Sequence, residues 1–530
     1  MTLLALLACT GTPDPEGGGP DGPISDYQLI LEPIVANNQD PFDDLDEAFL
    51  VLDPEIGDEV RVPLDGVESG ATAQATDLPA LENATISFEG VRDGAVVAWG
   101  RTVALDAASG EDSTRIFVAE TETAAWLAPL PEALWSGVMA PLGEGRFLLA
   151  GGMGNNRTGE PEKLQDVVYT LTLAPPDDTV EFEVIGALPT YRDGSEEDHT
   201  GRMGATLTAL QAAGDDQGLL LLAGGSSEHP YAGSATTVTA SVMLYDPGSD
   251  AWEALDDNKD FTRERTQHLA IENVQGNVVF WGGWGWVAQS NSITWNNSFE
   301  VYDRASRSVS RIDDELTDLG PYSAAAADLA SDGTLVCGGA IVTATTFVNA
   351  NACYTVSIDG SSAQRDVNLP TALAGHAMIT LDDGRVLLTG GAADSTTREI
   401  FDVLPAQANA FLLSPSTGQW VTIQSMRMAR AGHRMSMLPD GRVLVSGGAE
   451  SFAVVTGPDD PVSCLEIFDP ATSTFSTVDD CDTTDDGGGL PSRAFEPMVA
   501  ADPVWGVVIA GGRDAEGSAQ DVAALFVPAP

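Results

Sequence analysis

Two stretches of this 530-residue chain are near copies: AGHAMITLDDGRVLLTGG at 374–391 and AGHRMSMLPDGRVLVSGG at 431–448 share 12 of 18 residues at an offset of 57. A chain repeats itself this way when one supersecondary unit stacks beside copies of itself. The number of copies is read from a strand that ends in two glycines. RFLLAGG, LLLLAGG, NVVFWGG, GTLVCGG, RVLLTGG, RVLVSGG and GVVIAGG close at Gly152, Gly225, Gly283, Gly339, Gly391, Gly448 and Gly512, in steps of 73, 58, 56, 52, 57 and 64 residues. Short strands at such a period predict an all-β fold built as a propeller.

Each part of the unit has a physical reason. In the copy at 431–448, HRMSML reads as a first strand and PDG as a tight turn, where proline presets φ and glycine accepts a positive one. RVLVS is apolar throughout, as befits a second strand covered on both faces. The glycine pair lets the backbone leave that strand where a Cβ would clash. Third strands follow as VMLYDPGSDAW, FEVYDRASRSV, FLLSPSTGQW and CLEIFDPATSTF, with Trp252, Trp420 and Phe475 opening an outer fourth strand that packs between sheets. This series resembles the kelch repeat, a four-stranded propeller blade with a double glycine after its second strand and a later aromatic. Seven glycine pairs then imply a seven-bladed kelch-type β-propeller over 122–530. The last unit ends one strand short at Pro530. AAWLAPL (124–130), with Trp126 where a closing aromatic belongs, is expected to supply the missing strand and seal the ring.

Residues 25–121 break the pattern. DYQLILEPIV, EAFLVLD, ATISFEGV, GAVVAWGRTVAL and TRIFVAE alternate over short runs between Asp/Gly turns, which predicts a small β-sandwich that lifts the propeller off a membrane. Ahead of it, residues 1–9 end in Leu6-Leu7-Ala8-Cys9, and 10–24 form a flexible Pro/Gly/Asp-rich tether. The first segment resembles the lipobox of bacterial lipoproteins. The resemblance implies a lipid on Cys9, export, and anchoring to the outer membrane of a bacterium, facing the periplasm or exposed at the surface. With Cys9 set aside, Cys337, Cys353, Cys464 and Cys481 fall as two local pairs 16 and 17 residues apart, the count expected of two disulfides in an exported protein.

The chain carries 80 acidic and 24 basic side chains, a formal net charge of −56. Such a surface repels phosphate backbones and anionic lipid headgroups, which removes nucleic acid as a partner and leaves the lipid as the one membrane contact. It suits a solubilised monomer, or the recruitment of Ca2+ or a cationic partner. The loop at 479–489, DDCDTTDDGGG, has oxygen ligands for calcium, although off the EF-hand register, and a solvated acidic loop is the plainer reading.

Candidate binding residues are sparse. His268, His376 and His433 open the first strands of the third, fifth and sixth units, so their imidazoles are candidates for a shared axial opening that zinc or copper could occupy. Packing beside the neighbouring turn is the alternative. Trp284, Trp286 and Trp295 crowd one loop and are candidates for an exposed face that stacks on a sugar or a partner side chain, whereas Trp281 belongs to the core. Galactose-oxidase-like enzymes and sialic-acid mutarotases share the kelch propeller, but no Tyr–Cys–His constellation maps onto this chain. No hydrolytic triad context, nucleotide-cradling loop or HExxH is present either. The expectation is a non-catalytic, envelope-anchored module that binds a protein or glycan through its loops and needs no cofactor. A sugar-acting enzyme at the propeller axis is the alternative.

Overall fold

The computed structural model describes residues 28–530, apart from 35–39, 55–58, 68–72, 76–83, 103–112, 155–162, 174–179, 193–197, 228–237, 256–259, 288–291, 313–314, 455–459, 479–489 and 491–494. Cys9, the tether, Cys481 and the acidic loop at 479–489 therefore lie outside the described residues.

The described residues are all-β apart from one 3-10 turn at Ala330–Asp332. Seven four-stranded antiparallel sheets follow one another. Their first strands are Val138–Gly143, Thr206–Ala209, Leu269–Glu272, Ala325–Asp328, Leu373–Thr380, Arg434–Met437 and Met498–Asp502. Each first strand adjoins the next, and Met498–Asp502 returns to adjoin Val138–Gly143, so the ring is closed. Second strands such as Leu220–Ala223, Val278–Trp281, Val443–Ser446 and Gly506–Ala510 are buried along their whole length. Their uninterrupted apolar sequence reflects cover from sheets on both faces. Trp252 and Phe475, on outer strands, pack against Tyr245 and Phe468 of the third strands, with ring centroids 4.9 and 5.0 Å apart.

The glycine pairs join one sheet to the next. The second glycine donates its N–H to a carbonyl just ahead of, or at the start of, the next first strand. Gly152 reaches Arg202, Gly225 reaches Arg265, Gly283 reaches Pro321 and Gly339 reaches Leu373, each at 2.8 Å. Gly391 reaches Arg430 at 2.9 Å and Gly512 reaches Leu134 at 2.8 Å. The first glycine has a positive φ, 69° at Gly282, and a Cβ there would collide with the Pro321 carbonyl. Glycine is thus required twice over, by conformation and by the close approach of the next sheet.

The seventh sheet borrows its outer strand from the other end of the propeller segment. Thr123–Trp126 pairs with Ala523–Val527 through Ala524↔Trp126 and Phe526↔Ala124, leaving no open edge there. Trp126 itself is 44% exposed, so it closes the sheet with its backbone rather than by packing between sheets. Glu122, just ahead of this strand, accepts from Arg442 at 2.9 and 2.5 Å and from the Ala529 N–H at 2.8 Å.

Ahead of the ring lie β1 (Gln28–Pro33), β2 (Glu47–Pro54), β3 (Val60–Leu64), β4 (Ala73–Ala75), β5 (Ala84–Arg92), β6 (Ala95–Arg101) and β7 (Ser113–Glu120). Hydrogen bonding runs in the order β3-β2-β5-β6-β7-β1-β4. The β7 strand lies parallel to β1 from Ser113 to Val118 and, among the described residues, pairs with β6 at Ala98↔Glu120 and Trp99↔Ala119. Leu31 of β1, Leu50 of β2, Phe88 of β5 and Ile116 of β7 share one core, so the two arms of this ladder fold about the same apolar interior. The intervening β7 residues Phe117 and Ala119 turn the other way, into a cluster with Ala125, Leu149 and Val527 of the ring. The N-terminal strands are therefore packed against the closing sheet.

Candidate functional site

One structural position recurs around the axis, immediately before or at the start of each first strand. Ser136, Gly204, Gln267, Ser323, Gly375, Gly432 and Glu496 all have positive φ, between 51° and 70°. They ring a cavity of about 230 Å³ at the axial mouth. Their backbones form two hydrogen-bonded arcs. In one, Gly204 donates to Ser136 at 3.2 Å and Gln267 to Gly204 at 2.7 Å; in the other, Gly375 donates to Ser323 at 2.9 Å and Gly432 to Gly375 at 2.7 Å. Glu496 belongs to neither arc. No side-chain type unites the seven, only a conformation, and this is why a reading of residue types misses the ring.

The three histidines stand beside this ring and line the cavity wall. Each imidazole is wedged between sheets. A Cβ on Gly224, Gly338 or Gly390 of the preceding sheet would lie 2.9, 2.6 or 2.7 Å from the Cε1 of His268, His376 or His433 respectively. The Nε2 of His268 bonds the Thr206 hydroxyl at 2.9 Å, and that of His433 bonds Thr389 at 2.8 Å. His376 has no such partner on either ring nitrogen. Burial pushes the His376 imidazole down to about 3. It also holds His268 and His433 well below the usual histidine range, with the Arg265 and Arg430 charges adding to the effect. All three are neutral at physiological pH. Among the described residues, no group of three or more His, Cys, Asp or Glu side chains is placed to hold a metal ion.

The tryptophan loop is a hairpin, Trp284–Val287 paired with Ser292–Trp295, and it turns inward. Trp284, expected on the surface, is only 8% exposed. It stacks on Trp295 at 3.6 Å between centroids, and its indole N–H donates to Gln267 Oε1 at 3.0 Å. Trp295 is half-buried and continues the contact to Tyr322 at 5.3 Å, and Tyr322 to Phe452 at 6.0 Å. Trp286 lies within the strand, and its side chain is outside the described residues. Large aromatics beside a polar ring bury themselves wherever an acceptor can take the indole N–H, and here Gln267 supplies it.

This hairpin is one of several on the same face. Ala340–Val342 pairs with Thr346–Asn349, which pairs with Arg398–Glu399, and Val403–Pro405 pairs with Ser451–Ala453. All arise from loops between second and third strands, and together they form a crown around the mouth. On that crown Phe401 is 67% exposed, with Val403 exposed two residues on.

Three fully buried arginines support the ring, each two residues ahead of a ring position, and the sequence reading did not single them out. Arg265 pairs with Glu300 at 2.6 Å and Arg430 with Glu466 at 2.9 Å, all four side chains inaccessible. Arg202 has Met243 at the corresponding place. It donates instead to the Gly224 carbonyl and the Ser241 hydroxyl, both at 3.1 Å, and lies 4.3 Å from the Tyr191 ring centroid. The acid inside the otherwise apolar runs FEVY and LEIF was the available signal.

Cys337 and Cys353 face each other across the second and third strands of the fourth sheet and are joined by a disulfide. Cys464 is disulfide-bonded as well. Among the described residues, no helix is long and apolar enough to cross a membrane.

No protein-family model matches the sequence. No match was found among curated proteins either. Solved structures do match. A fungal alcohol oxidase of the AA5 family, in complex with copper, is 15% identical over 76% of this chain and 76% of its own, with a TM-score of 0.51. YjhT is 14% identical over 66% of this chain and 99% of its own, with a TM-score of 0.45. At such identity the likeness to the oxidase speaks for the fold alone, and with the closed ring of four-stranded sheets it places this chain among the all-β propellers.

Proposed function

We propose that this chain is an exported propeller, tethered by lipid on Cys9 to the outer membrane of a bacterium, that binds a protein or glycan partner through its crowned face without transforming it. The observation that carries this reading is the concentration of added structure on one face: hairpins from successive loops, exposed Phe401 and Val403, and the axial mouth among them. An exposed aromatic anchor beside a partly polar concavity is what recognition surfaces use. The buried disulfide suits an oxidising compartment. Self-repulsion at a net charge of −56 favours a monomer and disfavours nucleic acid as the partner.

A second reading is a sugar-acting enzyme, mutarotase- or oxidase-like, at the axis. It takes its support from the neighbour described as an alcohol oxidase in complex with copper. The described residues do not fit copper. No metal-competent group of three is present among them, and the Nε2 atoms of His268 and His433 engage threonine hydroxyls.

Glycan-array and pull-down experiments with the full chain and with a Phe401→Asp/Val403→Asp variant test the first reading. The expected result is a ligand captured by the wild type and lost by the variant at unchanged Tm. Capture that ignores the substitutions would move the site off this face, and turnover of a sugar by the purified chain would favour the second reading.

A further inference from the structure

The axial cavity carries hydrogen-bonding capacity that the protein leaves unused. Among the described residues, the N–H groups of Ser136 and Ser323, which begin the two arcs, and that of Glu496 have no acceptor. Glu496 Oε2 is buried and accepts no hydrogen bond, its nearest cation being Arg513 at 3.9 Å. His376 is 5% exposed, and both of its ring nitrogens are unpaired. The cause is local. Where His268 finds Thr206 and His433 finds Thr389, the matching positions around His376 are Ala325 and the disulfide-bonded Cys337. Buried polar groups are nearly always paired, so several unpaired ones around a single cavity point to a ligand that pairs them.

The wall also defines that ligand. At about 230 Å³ the cavity falls below the roughly 300–1,000 Å³ of drug-sized sites, so the occupant is small. Among the described lining residues Glu496 and the exposed Arg434 carry opposite charges, so the wall as a whole favours neither an anion nor a cation. Free donors and free acceptors stand together, and Tyr322, Phe452 and Phe495 add apolar ring surface. A neutral ring compound with hydroxyls on its edge and C–H groups on its face meets all of these demands.

We infer that the axial mouth binds one small neutral pyranose, free or at the end of a glycan, with Glu496 accepting from its hydroxyls, the Ser136 and Ser323 N–H groups donating to them, and His376 taking the remaining hydroxyl. A ligand hydroxyl then does for His376 what threonine does for its counterparts. The neutral state of that imidazole suits an uncharged ligand. The inference rests on the binding reading above and deepens it.

Calorimetric titration and saturation-transfer NMR of the full chain test it. The probes are methyl glucoside, galactoside and mannoside as neutral ligands, glucuronate as the anion and glucosamine as the cation, each followed into the millimolar range. The expected result is saturable binding of a neutral pyranoside, weakened about tenfold by Glu496→Gln at unchanged Tm and severalfold by His376→Phe. Absence of pyranoside binding, binding of glucuronate or glucosamine in preference, or binding indifferent to Glu496→Gln would each overturn it. If pyranosides fail while the Phe401-dependent capture persists, only this inference falls.

Discussion

Replacing Glu466 by methionine gives this sixth sheet what the second sheet already has at Met243, and the structure sets the cost. Glu466 is wholly buried, 2.9 Å from an equally buried Arg430. Its carboxylate also accepts from the backbone N–H groups of Arg427 at 2.6 Å and Met428 at 3.1 Å. The variant strands a buried guanidinium, left with only the Gly447 and Cys464 carbonyls at 3.1 Å, and orphans two backbone donors. Breaking a buried pair by removing one partner costs about 3–5 kcal/mol. The two stranded amides put this case in the upper part of that range. Exchanging both partners for apolar groups is close to neutral, so Arg430→Met/Glu466→Met should recover most of the loss, short of the amide contribution. Urea unfolding followed by tryptophan fluorescence, together with Tm, reads both variants; the single one should lower Tm on the order of 5 °C. A single variant that costs less than about 1 kcal/mol, or a double variant no more stable than the single, would refute the reasoning.

Other consequences are open to measurement. Gly282→Ala should destabilise far more than Gly384→Ala: both glycines have positive φ, but a Cβ collides with the Pro321 carbonyl at the first and meets nothing within 4 Å at the second. The second substitution should cost only the left-handed penalty of about 1–2 kcal/mol. Burial holds the Asp328 carboxyl up at about 6, above its ordinary 3.8. Its folded form prefers the proton, so its contribution to stability is present at low pH and is lost as pH rises through that interval. Asp328→Asn should therefore raise Tm at pH 7.5 and leave it nearly unchanged at about pH 4, and an equal shift at both would contradict the assignment. Changing Cys337 and Cys353 to serine removes a link closing 16 residues and should cost roughly 3 kcal/mol in denaturant titration; a loss within error would show that the strand pairing alone suffices.

What was legible in the sequence was whatever repeats. The glycine pairs mark where one sheet hands its backbone to the next, and the same clash recurs in each sector, so the residue type recurs with it. The closing strand at Thr123–Trp126 was legible because the last unit ends one strand short. What was not legible depends on neighbours far along the chain. Trp284 is buried because Gln267 and Trp295 receive it, and no local pattern distinguishes that from an exposed loop. The histidines share a position but differ in what the preceding sheet offers them, threonine twice and neither of the two threonines at His376. The axial ring escaped because its seven members share φ rather than chemistry.

Closure of the ring is what gives every sheet two covered faces, and hydrogen exchange across the joint tests it most directly. The amides of Ala523–Val527, paired on both sides, should exchange as slowly as those of second strands such as Val443–Ser446, and the Thr123–Trp126 amides that bond to them as slowly as the paired amides of other outer strands such as Thr474–Val478. Exchange at Ala523–Val527 as fast as at an unpaired sheet edge, with Val443–Ser446 protected, would mean that the ring is not sealed there.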